Sequence, residues 1–302
     1  FVMRAMGELL LHNLEYNSFQ DFARDMIGPW AGYFAGWTYW ILWVVTASAE
    51  VVVIAGYFDF WIKDMTWSMI CTFLLLMALL GCNLLTVKLF GEIEFWFAMI
   101  KIVAICALII VGAIMVATSF TTPSGAHAQV ANLWNDGGFF PNGATGFLGA
   151  FQIAVFAFMG SELVGTTAAE TQNPMVTLPK AINSVPVRIL IFYVGALIVI
   201  LMVNPWREID PAKSPFVTMF TLAGIAIAAH IVNVVVLTSA TSSANSGIFS
   251  TSRMVYGLSQ EGYAPKFLGN LSGSGVPRNA LFLTSILLLS SIALLYAGDS
   301  II

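Results

Sequence analysis

The chain has 302 residues, of which 59% are hydrophobic and 9% are charged, and its mean hydropathy is +0.86. Soluble domains carry about 25% charged residues, so this composition excludes an ordinary soluble protein and indicates a polytopic membrane protein. The net charge of −4 is spread thinly and predicts no nucleic-acid partner. The three cysteines lie in apolar runs with no close pair, and the three histidines are far apart, so we expect neither a disulfide nor a metal site.

Apolar runs predict seven membrane spans, because about 20 apolar residues cross the hydrocarbon core as a helix. Residues 1–11 are expected to end an earlier helix, and residues 12–27 to form an interfacial loop or short helix. The expected spans are about 29–61, 67–87, 95–117, a broken helix at 145–174, 188–204, 217–245 and 279–297. Between them we expect a turn at 90–94, a polar loop at 118–144, a proline-containing loop at 171–186, a basic amphipathic stretch at 249–268 and a flexible link at 272–277. The predicted fold class is therefore an all-α transmembrane bundle.

The first complete span begins with three glycines spaced four residues apart, Gly28, Gly32 and Gly36. Small residues along one face of a membrane helix allow a neighbouring helix to approach closely. We therefore expect a close helix contact at this face.

Lysine and arginine residues are distributed unevenly between the two sides of the predicted spans, with eight on one side and three on the other. Cytoplasmic loops carry the excess of Lys and Arg. We therefore expect the side with eight to be cytoplasmic and the loop at 118–144 to lie outside.

Residues 145–174 predict a membrane helix that breaks in its middle. An apolar run that ends at Met159 is followed by Gly160, Ser161 and Glu162, at roughly mid-membrane depth. A carboxylate at that depth costs about 2.5–3.5 kcal/mol, and a non-helical turn is tolerated only where it is buried in protein or lines a water-filled cavity. Many secondary transporters build substrate sites from such breaks. The alternative is an ordinary helix whose glutamate is satisfied by a neighbouring side chain.

Three charged residues lie well inside the predicted spans, away from the span ends: Glu50, Lys101 and Glu162. Glu94 lies near a cytoplasmic end. Lys101 is either a lysine that reaches back to the interface or a buried ammonium that can take and lose a proton. Glu50 is either a satisfied carboxylate or a group that meets a substrate ammonium. Glu162 is the strongest candidate for a proton site, because desolvation favours the neutral form of a carboxyl group.

Residues 238–252 form a dense run of hydroxyl side chains that includes Asn245. Ser and Thr in membrane helices often bond to their own backbone, and the alternative here is a polar lining beside Lys101. Phe156 precedes the predicted break and is either a packing residue or a lid over a bound solute. The sequence contains no metalloprotease HExxH, no P-loop and no serine-hydrolase elbow, so nothing in it supports an enzyme.

Several segments resemble the amino acid–polyamine–organocation permease superfamily, in its bacterial amino acid permease branch. They are FVMRAMGELL, FGEIEFWFAMIKI, FAFMGSELVGTTAAETQNP, LPKAIN, SPFV and SSANSGIFSTSRMVYGLSQEG, and the resemblance runs essentially end to end. The pieces LWNDGGFFPNG, FQIAVFAFMG and LVGTTAAET resemble members of this branch that take D-serine, D-alanine and glycine.

The resemblance implies about twelve helices arranged as two inverted five-helix repeats with a discontinuous helix at the midplane. Residues 1–302 would then form one transmembrane domain, truncated at both ends, from the tail of the second helix to the ninth. The first helix, which in this superfamily carries a glycine-rich break that holds substrate, would lie outside the chain.

The resemblance also assigns roles to single residues. It implies that Gly160 and Ser161 belong to a substrate site in the unwound sixth helix, that Phe156 closes over the substrate, and that Glu50 faces it. It implies proton coupling at Glu162 and at Lys101, which would replace the sodium ion of other members. The same resemblance places Asn245 and Ser246 in a polar lining near that lysine.

The expected function is proton-coupled uptake of small neutral amino acids (glycine, D-alanine and D-serine) across the bacterial inner membrane, by a multi-pass permease working through alternating access. The expected partners are the amino acid substrate and the lipid bilayer, with the proton as coupling ion and no other cofactor. Permeases of the same family for γ-aminobutyrate, aromatic or basic amino acids remain an alternative. A channel or a membrane solute sensor is the alternative from another class, although the spans show no continuous polar face and the chain no soluble output domain.

Overall fold

The computed structural model describes residues 2–13, 16, 19–85, 87–163, 173–210, 214–225, 227–273 and 275–299. These residues form helices and connecting segments without a β-strand, apart from an isolated bridge between Thr121 and His127. The predicted all-α class is confirmed. The helices are α1 (Val2–His12), α2 (Phe19–Met26), α3 (Pro29–Ile62), α4 (Met65–Leu85), α5 (Val87–Ala117), α6 (Gly143–Phe158), α7 (Pro174–Val203), α8 (Pro215–Leu222), α9 (Ala228–Gln260) and α10 (Arg278–Asp299).

Five helices of the described residues are long and apolar enough to cross a membrane: α3, α4, α5, α7 and α10. They account for five of the seven predicted spans. The other two predictions fall on α6, which has only 16 residues before the chain turns, and on α9, whose run of Ser, Thr and Asn lowers its hydropathy. The inverted-repeat arrangement stays a prediction.

The predicted turn at 90–94 is wrong, because these residues belong to α5. A single glycine costs a helix only about 1 kcal/mol, and nothing else in FGEIE interrupts helical hydrogen bonding. The helical pairing is visible on the surface, where Trp96 Nε1 donates to the Glu92 carboxylate at 3.0 Å, four residues earlier. Phe90 also stacks on Phe249 of α9, with ring centroids 3.9 Å apart. The helix therefore begins about two turns before the predicted span.

The predicted loop at 171–186 is wrong from Pro174 onward, and residues 164–172 lie outside the described part. Pro174 opens α7 at its first residue, where the missing N–H has no helical partner to lose. The helix continues through Pro179 and Pro186 and then widens to a π-helix over Ile189–Gly195. A π-segment is one way in which a helix accommodates a residue that cannot bond to the preceding turn.

The predicted span at 217–245 is interrupted, which corrects the boundaries of two predictions. Helix α8 ends at Leu222, and Gly224 has φ +81°, a left-handed backbone conformation that stops a helix. Helix α9 begins at Ala228 and continues to Gln260. Most of the predicted amphipathic stretch at 249–268 is thus the end of a long helix, because residues 249–260 contain no proline, a single glycine costs a helix only about 1 kcal/mol, and many of these residues are buried.

The described chain divides into two compact units. The first contains residues 1–99, 162–182 and 236–302, and the second contains residues 100–161 and 183–235. The core of the first unit is formed where α3, α4, α9 and α10 meet. Its buried side chains are Ala47, Val51, Leu76, Leu79, Leu80, Ile248, Val276, Leu281 and Leu288.

The second unit packs α5 against α7 and α8 with a glycine at the contact. A Cβ on Gly112 would lie 2.0 Å from Val199 Cγ1 and 2.8 Å from Met219 Cε, so only glycine fits there. The loop predicted at 118–144 is confirmed as a connecting segment between α5 and α6, and it is tied to the end of α7. Gln129 N and Asn132 Nδ2 both donate to the Met202 carbonyl at 2.9 Å, and Trp206 Nε1 donates to the Asp136 carbonyl at 3.1 Å.

The glycine stripe of α3 does hold a close neighbour, and that neighbour is the short helix α2. A Cβ on Gly32 would lie 2.7 Å from Arg24 Cβ and 3.2 Å from the Gln20 carbonyl oxygen, and one on Gly36 would lie 2.5 Å from Gln20 Oε1. Gln20 is only 3% exposed as a result. Arg24 on the polar face of α2 forms an ion pair with Glu261, which directly follows α9, and so links the two helices. Arg24 also pairs with its own neighbour in α2, Asp25, at 2.8 Å. The hydrogen bond from Arg24 holds the pKa of Asp25 below its usual value.

Replacing Gly32 with Ala should loosen α2 from α3. The new methyl group would meet the backbone of α2, which can yield only by moving the whole helix, and overpacking of this kind costs about 1–3 kcal/mol. The apparent melting temperature of the detergent-solubilised protein should fall. Gly56→Ala is the matched control, because Gly56 lies in the same helix and a Cβ there meets nothing within 4 Å. An equal or smaller fall for Gly32→Ala than for Gly56→Ala would contradict the close docking of α2.

Candidate functional site

The predicted break in residues 145–174 is present. Helix α6 ends at Phe158, and residues 159–162 form a turn in which Gly160 has φ +92°. This left-handed conformation strains every residue with a Cβ, which explains the glycine. Ser161 Oγ donates to the Phe158 carbonyl at 3.0 Å and so satisfies one of the acceptors that the end of the helix exposes.

Glu162, the last residue of this turn, meets α3. The hydroxyl of Tyr39, which is 7% exposed, lies 3.5 Å from Glu162 Oε1 as a donor. Tyr39 itself packs with Trp43 and with Met254 of α9, and Leu163 joins the same cluster. Because O–H···O bonds are usually 2.5–3.0 Å long, this one is weak. Glu162 is half-buried and is held only loosely by this hydroxyl.

Two other predicted site residues, Lys101 and Glu50, lie within the long helices α5 and α3. Lys101 is half-buried in the part of α5 that belongs to the second unit. Glu50 is half-buried in α3 and acts electrostatically on the hydroxyl of Tyr57, two turns further along the same helix. The side chain of Phe156 lies outside the described part, so its predicted role as a lid stays a prediction.

The run of hydroxyl side chains at 238–252 divides into two groups. Thr241, Thr251 and Ser252 donate to carbonyls three or four residues earlier in α9, at 2.6–2.7 Å, as the structural alternative predicts. Ser242 instead donates to a carboxylate on another helix, Glu94 of α5, over 2.6 Å to Oε2. One part of the run therefore serves the helix itself, and the other part forms a site.

Asn245 belongs to that site. It is fully buried, with 0% exposure, and its Nδ2 donates to Glu94 Oε1 at 2.8 Å. Its Oδ1 accepts from Asn83 Nδ2 of α4 at 2.7 Å, and Asn83 also donates to the Leu79 carbonyl at 2.9 Å. We name the four side chains Glu94, Ser242, Asn245 and Asn83 the Glu94 network. It joins three helices of the first unit, with Asn83, Ser242 and Asn245 buried and Glu94 half-buried.

The Glu94 network adds partners that the sequence-based prediction for Asn245 did not include. We expected Asn245 and Ser246 to form a polar lining near Lys101, which stays a prediction, and the structure gives Asn245 hydrogen bonds with Glu94 and Asn83. Asn83 was missed altogether. Its signal was available, since an amide inside an apolar span needs a partner, but the sequence could not say which helix supplies it.

The two carboxylates differ in how they are held. Glu94 accepts two short bonds, and such charge-assisted bonds are roughly twice as strong as neutral ones. Glu162 lies 3.5 Å from the Tyr39 hydroxyl. Within the described ranges, no three His, Cys, Asp or Glu side chains lie close enough to hold a metal ion. The arrangement therefore offers one carboxylate that accepts two short bonds between helices and another carboxylate at a helix break.

The chain matches known membrane transport proteins over its whole length. The amino acid permease family model matches residues 1–302. A D-serine/D-alanine/glycine transporter of Escherichia coli (strain K12) is 60% identical over 303 residues, which cover 100% of this chain and 64% of that protein. An amino-acid permease of Bacillus subtilis (strain 168) is 52% identical, and an aromatic amino acid transport protein of Escherichia coli O6:H1 is 43% identical. These two matches cover 98% and 94% of this chain, and 64% and 62% of the relatives. The chain thus spans less than two thirds of the length of these relatives.

Replacing Gly160 with Ala should destabilise the turn after α6. A left-handed conformation costs a residue with a Cβ about 1–2 kcal/mol, and the alternative is a local change in the backbone. We expect a lower apparent melting temperature for Gly160→Ala than for Gly149→Ala. Gly149 lies within α6, and a Cβ there meets nothing within 4 Å, so this control should be neutral or slightly stabilising. Equal stability of the two variants would argue against the turn.

Proposed function

We propose, from the premise that this chain belongs to the amino acid permease family, that it is part of a secondary transporter for small neutral amino acids. The relative with 60% identity is a D-serine/D-alanine/glycine transporter, and its match covers all of this chain. The observation that carries the proposal is the break at Gly160, which puts a turn and the Glu162 carboxylate between apolar segments. Broken helices of this kind expose backbone groups and helix ends that bind the charged ends of a zwitterion.

The proposed substrate site uses Gly160 and Ser161 at the break, with Phe156 closing over the substrate and Glu50 facing its ammonium. The freed N–H and C=O groups of the turn supply donors and acceptors that a continuous helix would use internally. Glycine, D-alanine and D-serine are the proposed substrates, since they are those in the name of the relative at 60% identity. A permease for aromatic amino acids is the second candidate, favoured by the 43% identity to an aromatic amino acid transport protein.

The proposed coupling ion is a proton, taken up at Glu162 or Lys101. Glu162 is a candidate for this role because it lies half-buried at the helix break, with its Oε1 3.5 Å from the Tyr39 hydroxyl. Lys101 is a second candidate because it is a half-buried ionisable residue within the apolar helix α5, and ionisable residues inside membrane spans mark proton and ion pathways. Protonation would then favour one orientation of the bundle over the other, which is the basis of alternating access. The proposed location is the bacterial inner membrane.

The substrate and the coupling can be tested together on the full-length protein in proteoliposomes. Uptake of labelled D-alanine should rise with an inward proton gradient and should be blocked by unlabelled glycine and D-serine. Competition by phenylalanine without competition by glycine would favour the aromatic candidate. Uptake that is indifferent to the gradient would overturn proton coupling while leaving the substrate class in place.

Replacing Lys101 with Ala should abolish uphill accumulation, because the variant cannot exchange a proton at this position. Exchange of internal for external substrate, which needs no gradient, should persist at a reduced rate. Lys88→Ala is the matched control, since Lys88 is an exposed lysine of the same helix and its loss should leave accumulation unchanged. Accumulation by Lys101→Ala equal to that of the Lys88→Ala protein would remove Lys101 from the coupling mechanism.

A further inference from the structure

The Glu94 network has a fixed direction of donation that begins at the protein backbone. The Leu79 carbonyl can only accept, so the group of Asn83 that faces it must be the amide nitrogen. The same nitrogen donates to Asn245 Oδ1, which leaves Asn245 Nδ2 to donate to Glu94. The orientation of both amides is therefore determined by their partners, and the chain of bonds ends on a carboxylate oxygen.

The position of Glu94 in the network suits an acceptor. Its Oε1 receives the Asn245 amide and its Oε2 receives the Ser242 hydroxyl, at 2.8 and 2.6 Å. Each carboxylate oxygen therefore receives one bond from α9, and Glu94 is the acceptor that joins α5 to α9.

A second contact holds the same part of α5 to α9. Phe90 lies one turn before Glu94 and stacks on Phe249 at an interplanar angle of 12°. The Arg253 guanidinium lies over the ring of Phe249, with its central carbon 3.3 Å from the ring centroid. Residue numbers rise along α5 as they fall along α9, so the two helices are antiparallel here. An aromatic contact and a polar contact together fix both the rotation and the axial position of α5.

Lys101 follows Glu94 by seven residues in the same helix. Seven residues make two helical turns, about 10 Å along the axis, and return to nearly the same face. The contacts that hold Glu94 therefore also set the axial position of Lys101 on α5 and the face of the helix from which its side chain extends.

We propose that Glu94 is a positioning residue of the transport cycle, which acts through its hydrogen bonds to Ser242 and Asn245 and sets the place of Lys101 in the coupling step. This inference rests on the proposed function for the role of Lys101, and on the Glu94 network alone for the role of Glu94. The property that matters is the pattern of donors and acceptors, and the negative charge can move to another member of the network.

Variants of the full-length protein test this pattern in proteoliposomes, through uphill D-alanine accumulation and through gradient-independent exchange. Glu94→Gln can keep both bonds, because its Oε1 accepts from Asn245 and its Nε2 donates to the Ser242 hydroxyl, which can also accept. We expect it to retain at least a third of wild-type accumulation. Glu94→Ala loses both bonds and should accumulate at least tenfold less. Glu92→Ala is the control, an exposed glutamate two residues away that should behave as wild type.

Moving the carboxylate gives the sharper test. Asn245→Asp alone places two carboxylates against each other and should lose at least tenfold. In the double variant Glu94→Gln with Asn245→Asp, the new carboxylate accepts from Asn83 and from the glutamine amide, and the glutamine oxygen accepts from Ser242. We expect this pair to restore accumulation to within about threefold of Glu94→Gln. Failure of the pair to restore, or a loss in Glu94→Gln as large as in Glu94→Ala, would overturn the proposal.

The link to Lys101 needs a comparison that a general loss of stability would not mimic. If Glu94 acts through Lys101, Glu94→Ala should lower accumulation more than exchange, and adding it to Lys101→Ala, which retains only exchange, should not lower exchange further. An equal loss of both activities in Glu94→Ala, or a further fall of exchange in the double variant, would contradict positioning of Lys101. If the wild-type protein shows no gradient-driven accumulation, the proposed coupling fails, and restoration of exchange by the moved carboxylate still decides whether the network positions these helices.

Discussion

Polar groups inside an apolar bundle must find their partners within the protein, and this constraint shapes the first unit. Water is scarce there, so an unpaired amide or carboxylate would cost several kcal/mol. The Glu94 network meets the constraint by linking α4, α5 and α9 through four side chains. The hydroxyls of Thr241 and Thr251 meet it locally, by bonding to their own helix. Where the partner is on another helix, the bond also specifies how the helices pack.

Small residues determine where helices approach one another closely. In the first unit, Gly32 and Gly36 give α2 its place on α3, and Gly247 lies where a Cβ would be 2.9 Å from Ala47 Cβ. In the second unit, Gly112 does the same for α5 against Val199. Van der Waals packing at such contacts is a main source of association between membrane helices, because lipid provides no hydrophobic drive between them. The polar bonds then select one packing among those that the small residues permit.

The proposed transport mechanism assigns different tasks to two carboxylates with different surroundings. Glu94 has two short bonds from donors that are themselves held in place, which suits a fixed structural link. Glu162 lies at the helix break, and the proposed mechanism places there a group whose protonation changes during a cycle. A transporter needs both kinds, since a conformational change requires rigid elements that move and a switch that biases them.

The sequence by itself determined the membrane class, the helical fold, the family resemblance and the place of the break, because hydropathy, charge scarcity and a Gly-Ser-Glu segment are properties of the chain alone. It failed at 90–94 and from Pro174 to 186, where a glycine and three prolines suggested non-helical structure. Helix α5 continues through Gly91, and α7 begins at Pro174 and continues through the other two prolines. Local preferences of about 1 kcal/mol for glycine, and more for proline, are overridden by packing that a sequence does not display. Only the tertiary structure decided that α2 fills the glycine face of α3 and that Asn245 meets Glu94. These contacts join residues far apart in the chain. The sequence shows that an amide within a span needs a hydrogen-bond partner, but it does not show which helix provides that partner.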